Sequence, residues 1–150
     1  MILDQGKMKD GNDYILVDKE SLIEHLKDLK EKGYNYLVLM SAVDYIDYRE
    51  VVYHLSSYME NKIIVLKVRT KDDVLPSATS LWASANWFER EIYDLMGIKF
   101  EGHPDLRRIF LPEGWVGHPL RKDYDMSKEQ YVNMNEDGTD TVSFDPKDGW

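Results

Sequence analysis

The amino-acid sequence predicts an α+β domain, in which a mainly antiparallel sheet of three to four strands is packed by two helices. A long, extended and irregular C-terminal segment follows. Three observations predict this fold: β-forming runs joined by short turns, two stretches with apolar residues at helical spacing, and a glycine- and proline-rich run that is nevertheless apolar. The predicted organisation is a flexible N-terminus (residues 1–13), the α+β domain (14–97), the extended segment (98–124) and an acidic C-terminal arm (125–150).

Composition excludes several classes of protein. The 150 residues include no cysteine, so neither disulfides nor zinc or Fe–S sites held by thiolates are available. A net charge of −9 disfavours general binding to nucleic acid, which needs clustered lysine and arginine. Apolar runs such as Leu37–Met40 fall far short of the roughly 20 residues of a membrane helix, and the polar N-terminus does not resemble a signal peptide. We expect a cytoplasmic chain without a membrane span.

The first half of the chain supplies one helix and most of the strands. Apolar residues recur at helical spacing between Lys19 and Lys32, and Gly33 gives a C-terminal stop. Strands are predicted at Tyr14–Val17, Tyr36–Met40, Glu50–Tyr58 and Ile63–Arg69. The last three are joined by short connectors, which favour antiparallel hairpins over parallel crossovers. Because Tyr36–Met40 is almost continuously apolar, it is expected to be covered on both faces.

The main helix is predicted to begin near Leu81 and to end at Gly97. Rotation by 100° per residue places a buried apolar stripe on one side, formed by Leu81, Ala85, Phe88, Ile92, Leu95 and Met96. The same rotation directs Trp87, Arg90 and Asp94 away from the stripe. Arg90 and Asp94 are therefore expected to form an exposed pair worth about 0.3–0.5 kcal/mol.

Three carboxylates on this helix raise the question of a metal or acid/base site, namely those of Glu89, Glu91 and Asp94. Glu89 and Glu91 are two residues apart and project about 160° from each other, so they cannot chelate one ion together. No histidine stands three residues from either glutamate, as a di-metal helix bundle requires. We therefore expect no metal site, and we expect the helix carboxylates to accept hydrogen bonds from a neighbouring element, for instance from Arg107 or Arg108.

The extended segment combines turn-forming residues with apolar and basic ones. Its glycines and prolines disfavour helix, yet its apolar residues are too many for a free linker. Residues 97–124 carry a net charge of +1, between −5 in residues 1–96 and −5 in residues 125–150. The segment is therefore expected to lie on a protein surface and to offer basic groups to an acidic partner.

Two Gly-His-Pro sequences, at His103 and His118, allow a catalytic alternative. Either histidine could serve as a base, oriented by Glu101 or Asp105, in a free-standing hydrolase. The sequence has no Gly-x-Ser-x-Gly elbow, cysteine nucleophile, phosphate-binding glycine loop or His-Glu-x-x-His motif. Each Gly-His-Pro more simply marks a turn, and hydrolysis remains a minor alternative.

The main helix and the extended segment together carry a long family signature. It comprises Trp87–Ile98, Phe100–Ile109, Leu111–Trp115 and Gly117–Tyr124. This signature resembles the 30 kDa subunit, or C subunit, of NADH-quinone oxidoreductase, respiratory complex I. The resemblance implies structural and partner-interface roles for Glu89, Arg90, Glu91, Asp94, Gly97, Gly102, His103, Pro104, Leu106, Arg107, Arg108, Trp115, His118, Pro119, Arg121, Lys122, Asp123 and Tyr124.

The resemblance also implies a function without catalysis by this chain. A member of this family is expected to bind no cofactor, to pack against the D subunit, whose cavity receives the quinone, and to support the quinone site at the cytoplasmic face of the membrane. The host complex would use FMN, Fe–S clusters and quinone. The same domain occurs in membrane-bound [NiFe] hydrogenases and in F420H2 and ferredoxin dehydrogenases, so these hosts remain alternatives. The acidic arm, with isolated apolar residues such as Phe144 and Trp150, is expected either to wrap a partner or to be mobile.

Overall fold

The computed structural model describes residues 1–148 and confirms an α+β fold. Trp150 lies outside the described residues. The elements in chain order are β1 (Ile2–Lys7), β2 (Asp13–Val17), α1 (Leu22–Glu31), β3 (Tyr36–Asp44), β4 (Arg49–Ser57), β5 (Lys62–Thr70), β6 (Val74–Pro76), α2 (Ala85–Met96), β7 (Lys99–Glu101), β8 (Gln130–Met134) and β9 (Asp140–Phe144).

The main sheet has five strands in the order β1-β2-β5-β4-β3 and is mixed. Its β3-β4-β5 part is antiparallel, as the short connectors predict, but β2 and β5 are parallel. The prediction of a mainly antiparallel sheet of three to four strands was therefore incomplete. Strand β1, which pairs with β2, was missed because all six of its residues are exposed and give no hydrophobic pattern. The expected flexible N-terminus thus contains an edge strand.

Both helices contribute to one hydrophobic core with a single face of the sheet. Fully buried side chains from the strands, such as Val17, Tyr53 and Leu66, meet the apolar residues of α1 and α2. Strand β3 forms the other edge of the sheet. Its side chains Val38 and Leu39 remain 37% and 38% exposed, so the expectation that this strand is covered on both faces was wrong. The apolar run in the sequence of β3 therefore belongs to an edge strand with exposed apolar side chains.

Helix α2 begins at Ala85, four residues later than the sequence predicts. Residues 79–84 form turns instead, with the Trp82 amide donating to the Ala78 carbonyl. Helix α2 ends at Gly97, which has a φ of 76°. The predicted exposed pair of Arg90 and Asp94 was wrong, because both side chains are buried and each binds the extended segment instead. A helix side that looks polar in sequence is thus covered by a later part of the chain.

The extended segment starts with a short strand, β7, which pairs in parallel with β6. From Gly102 to Glu129 the chain contains no further helix or strand. The acidic arm then forms an antiparallel hairpin from β8 and β9. The side chain of Gln130 joins this hairpin to the segment, because it accepts a hydrogen bond from the Val116 amide and donates one to the Val116 carbonyl.

Candidate functional site

Asp94, near the end of α2, is the centre of the contacts that hold the extended segment. Its side chain has no solvent exposure. One carboxylate oxygen accepts a hydrogen bond from Arg108 Nη1 at 2.8 Å. The other oxygen accepts from three successive backbone amides, those of Ile109, Phe110 and Leu111, at 3.2, 2.7 and 3.0 Å. A single carboxylate therefore fixes the path of four residues of an irregular chain.

Two arginines complete this attachment through carbonyl groups. Arg90, on α2, donates to the backbone carbonyls of Arg107 and Arg108. Arg108 reaches back and donates to the carbonyls of Asp94, Trp115 and Gly117. An irregular backbone has many polar groups without secondary-structure partners, and here the two guanidinium groups bind them. The segment is thus held by side chains in place of a strand ladder.

These contacts fix the charge state of Asp94. Burial by itself would raise the pKa of the carboxyl group. Arg108 and the three backbone amides oppose that effect, and the pKa of Asp94 lies below its ordinary value. The carboxylate is therefore ionised at neutral pH. This charge state suits the site, because all four groups that converge on the carboxylate are hydrogen-bond donors.

A second buried carboxylate, Glu89, lies earlier on the same helix. It accepts hydrogen bonds from Ser77 Oγ at 2.7 Å and from the Ala78 amide at 2.6 Å, which ties α2 to the chain that follows β6. Burial raises the pKa of Glu89 to about 7, although these two donors lower it. The nearby Tyr53 hydroxyl is buried without a hydrogen-bond partner, and burial together with the charge of Glu89 raises the pKa of Tyr53.

His103 lies against Glu89, with Nε2 3.9 Å from the carboxylate. Its side chain has no solvent exposure, and both ring nitrogens are engaged. Nδ1 accepts a hydrogen bond from the Asp105 amide, and Nε2 faces the Asn86 carbonyl at 3.1 Å. The resulting tautomer carries its proton on Nε2, so the ring has no free base to offer a substrate. His103 closes a turn, as its Gly-His-Pro sequence predicts.

A third group of contacts holds the far end of the segment at the edge of the sheet. Asp73 accepts from Arg49 on one oxygen and from Arg121 on the other, at 2.6 and 2.9 Å. Asp44, at the end of β3, accepts a hydrogen bond from the Lys122 amide at 2.9 Å. The Lys122 amide is the main reason why the pKa of Asp44 is lowered. The segment is therefore attached at both ends and at its centre.

Close packing around Gly97 and His118 completes the attachment. His118 Nδ1 donates to the Asp94 carbonyl at 2.9 Å, and its ring packs on Tyr93. A Cβ on Gly97 would lie 2.7 Å from the His118 ring, and the φ of 76° is itself one that other residues rarely adopt. A Cβ on Gly117 would likewise lie 2.7 Å from the ring of Tyr124. Glycine is required at both points because the backbone approaches an aromatic ring.

The opposite side of the segment exposes apolar side chains. Phe110 and Leu120 are 63% and 61% exposed, and Val116 is 46% exposed. In each case the backbone amide is held by the protein itself: by Asp94 for Phe110, by Gln130 for Val116 and by the Leu95 carbonyl for Leu120. We call these three side chains the outer row. Their backbone is fixed while their side chains have little apolar cover.

Most of the predicted site residues meet in this arrangement. Asp94, Arg90, Arg108, Trp115, His118 and Arg121 belong to the contacts described above, Leu106 packs against the core, and Lys122 contributes its backbone amide. Others remain at the surface: Glu91, Gly102, Pro104 and Asp123 are exposed, while Pro119 is half-buried. Arg107 pairs with Asp105, and both side chains are more than half exposed. The two adjacent arginines thus have different roles.

The sequence did not indicate several of the residues that hold the segment. Asp44 ends β3, Arg49 begins β4 and Asp73 precedes β6. All three lie far from the signature in sequence, and nothing in their spacing relates them to Arg121 or Lys122. Ser77, whose hydroxyl donates to Glu89, likewise lies outside the signature and gave no signal of this role. Within residues 1–148 there is no group of three or more His, Asp or Glu side chains that could hold a metal ion, and no helix is long and apolar enough to cross a membrane.

Comparison with known proteins gives consistent results. The family model described as the respiratory-chain NADH dehydrogenase 30 kDa subunit matches residues 15–130. The C subunit of NADH-quinone oxidoreductase from Moorella thermoacetica is 46% identical over 120 residues, which cover 77% of this chain and 81% of that protein.

Two solved structures resemble the fold. A trypsin-resistant fragment (1–134) of Nqo5 is 35% identical, with a TM-score of 0.64 over 69% of this chain and 89% of that one. A chain of the membrane-bound sulfane sulfur reductase, an archaeal respiratory membrane complex, has a TM-score of 0.74 over 82% of this chain and 77% of that one. At 22% identity, the second likeness shows a shared fold alone. The family match, the Moorella relative and the Nqo5 fragment agree: this chain belongs to the family of the 30 kDa subunit, or C subunit, of NADH-quinone oxidoreductase.

Proposed function

We propose that this chain is a non-catalytic peripheral-arm subunit whose extended segment packs against the D subunit and supports the quinone site on the cytoplasmic side of the membrane. It binds no flavin, metal, Fe–S cluster or quinone of its own. FMN, Fe–S clusters and quinone belong to the other subunits of the host complex. Membership of the family supports this proposal, and the geometry of the extended segment supplies the physical reason.

The outer row is the observation that carries the proposal. Phe110, Val116 and Leu120 are presented on a backbone that the protein holds rigidly from the inner side. Ordering a loop costs conformational entropy, and an interface that is ordered before binding avoids that cost at the moment of association. Buried Asp94 and Arg108 are therefore assigned to preorganisation, while the exposed apolar side chains provide the contact itself.

The charge of the segment suits a partner of the opposite sign. Arg107 is exposed beside the outer row, and Lys122 lies at its far end. Exposed arginine next to apolar side chains is typical of the rim and centre of protein interfaces. We expect the facing surface of the D subunit to combine apolar area with carboxylates.

A hydrolytic role for the histidines is disfavoured by the same geometry. His103 is fully buried with both nitrogens engaged, and His118 Nδ1 donates to a backbone carbonyl. The alternative hosts, a [NiFe] hydrogenase or an F420H2 or ferredoxin dehydrogenase, share the proposed docking role. These hosts remain the second candidate, because the resemblance extends to their equivalent subunits.

The proposal is tested by co-expression with the D subunit. Replacing Phe110 and Leu120 together by alanine removes apolar contact area without touching the groups that hold the backbone. Burying one large apolar side chain stabilises a complex by about 1.5–3 kcal/mol. Because the double variant removes two such side chains, we expect its Kd for the D subunit to rise by at least about a hundredfold. Thermal unfolding of the isolated variant should change little.

Met59→Ala is the matched control. Met59 is 95% exposed in the β4–β5 turn, at the end of the sheet away from Asp44 and Lys122. Its replacement should leave the affinity for the D subunit unchanged. Equal affinity of the Phe110/Leu120 double variant and the wild type would show that the outer row is not the contact surface.

A further inference from the structure

The turn between β3 and β4, residues 45–48, contains an unusual backbone. Ile46 has a φ of 74°, in the left-handed region that β-branched residues strongly avoid. Within residues 1–148, the other non-glycine residues with positive φ are Asn61 and Asp73, types that tolerate this region. Glycine or asparagine would form the same turn with less strain, so the turn geometry alone does not call for isoleucine.

The side chain of Ile46 does not stabilise the isolated chain by burial. It is 69% exposed, and Tyr45 beside it is 45% exposed. A strained residue normally persists because its surroundings fix it and because its conformation serves a purpose. Here the strain directs a large apolar side chain into solvent.

The surroundings do fix this turn. Asp44 accepts a hydrogen bond from the Ile46 amide at 2.8 Å, and Arg49 Nη1 donates to the Ile46 carbonyl. The Tyr45 amide also donates to the Tyr48 carbonyl, which closes the turn. Asp44 and Arg49 are both buried, with exposed fractions of 6% and 7%. The amide and the carbonyl of the strained residue are therefore both held from inside the domain.

The same two side chains hold the extended segment. The second oxygen of Asp44 accepts from the Lys122 amide, while Arg49 and Arg121 share the carboxylate of Asp73. The strained turn and the far end of the segment are thus parts of one connected structure. Leu120, the last side chain of the outer row, stands two residues before Lys122, and the amides of Lys122 and Ile46 bind the two oxygens of the same Asp44 carboxylate.

We propose that the β3–β4 turn is a second docking element, in which the strained backbone presents Ile46 to an apolar pocket of the same partner chain that binds the outer row. This inference rests on the proposed function and extends it, because it places a residue outside the family signature in the interface. Asp44 and Arg49 act as positioning residues, since they hold both the turn and the segment in a single orientation.

The test compares Ile46 variants of the full chain, titrated with the purified D subunit. Ile46→Asn accepts the left-handed conformation and removes the apolar side chain. We expect its resistance to urea to equal or exceed that of the wild type, while its Kd for the D subunit rises by about tenfold to a hundredfold. Ile46→Val keeps a branched apolar side chain and should bind within about threefold of the wild type. A variant that is at least as stable as the wild type but binds the D subunit more weakly identifies a docking residue, because loss of a merely structural residue would lower the stability as well.

Asn61→Gly is the control, because Asn61 also has a positive φ, of 52°, but lies in the β4–β5 turn at the other end of the sheet. It should leave the affinity unchanged. If the wild type binds the D subunit and Ile46→Asn binds equally well, the second docking element is refuted and the proposed function stands. If the wild type itself does not bind, the proposed function fails first. Lower stability of Ile46→Asn than of the wild type would refute the strain at this turn.

Discussion

The most informative perturbation of the extended segment is Asp94→Asn, because it preserves shape and removes one charge. The asparagine side chain has one acceptor oxygen and one donor group, whereas the site surrounds Asp94 with four donors. If the amide nitrogen faces Arg108, two donors oppose each other and the guanidinium loses its counter-charge. If the amide nitrogen faces Ile109, Phe110 and Leu111, three backbone amides lose their acceptor.

The free-energy cost of Asp94→Asn follows from the burial of the carboxylate. Breaking one partner of a buried ion pair costs about 3–5 kcal/mol, and the lower value applies because Arg108 keeps three carbonyl acceptors. We therefore expect the attachment of the segment to weaken by about 3 kcal/mol, which raises the population of the detached state roughly a hundredfold. The core below should remain folded, since its apolar cluster does not include Asp94.

Limited trypsin digestion measures this effect directly. Arg107, Arg108, Arg121 and Lys122 are cleavage sites within the segment, and cleavage follows the population of the open state when opening is fast. We expect cleavage in the segment of Asp94→Asn to be roughly a hundredfold faster, while urea unfolding of the domain changes far less.

The control for this experiment is Asp105→Asn, which makes the same chemical change at a carboxylate whose pair with Arg107 is exposed. Surface pairs of this kind contribute at most about 1 kcal/mol, so its cleavage rate should stay close to that of the wild type. Equal cleavage rates for Asp94→Asn and the wild type would refute the assignment of Asp94 as the centre of the attachment.

Further predictions concern the other parts of the site. Gly97→Ala should destabilise the chain by more than about 1 kcal/mol and clearly more than Gly102→Ala, because both have positive φ but only Gly97 faces a ring at 2.7 Å; equal urea midpoints would contradict the steric argument. Because the pKa of Glu89 is raised to about 7, its protonated form favours the folded state at acidic pH, and this contribution is lost as pH rises from about 4.5 to about 7. Glu89→Gln should therefore show a smaller decrease in stability over this range than the wild type, measured by urea unfolding at pH 5 and pH 8, whereas identical decreases would be inconsistent with a buried, neutralised Glu89. Arg108→Ala should release the segment to trypsin, whereas Arg107→Ala should leave it protected and lower only the affinity for the D subunit; similar protease sensitivity of both variants would overturn their separate roles. The purified chain should carry no stoichiometric metal or flavin, and elemental analysis that finds one transition metal ion per chain would contradict the assignment of the carboxylates.

The sequence predicted those features that repeat locally. Helical spacing identified α1 and α2, and short connectors identified the antiparallel part of the sheet from β3 to β5. Glycines and prolines indicated the irregular path of the extended segment. Each of these signals depends on neighbours in the chain, where side-chain periodicity and backbone preference act directly.

Features that depend on distant contacts were missed or misread. The parallel pairing of β2 and β5 joins strands that are separated in the chain by a helix and two further strands, and no local pattern encodes it. Arg90 and Asp94 were predicted to face solvent, because a helical projection cannot show that a later segment covers that side. The strained φ of Ile46 left no sequence signal at all, since the residue type argues against that conformation.

The most direct test of the proposed function is a pull-down of the tagged chain from its own host in gentle detergent, followed by mass spectrometry. We predict recovery of the D subunit together with a flavin-binding NADH module, and loss of both from the Phe110/Leu120 alanine variant. Recovery with a [NiFe] hydrogenase large subunit would assign the chain to the alternative host. Recovery of the wild-type chain without any partner would contradict its role as a docking subunit.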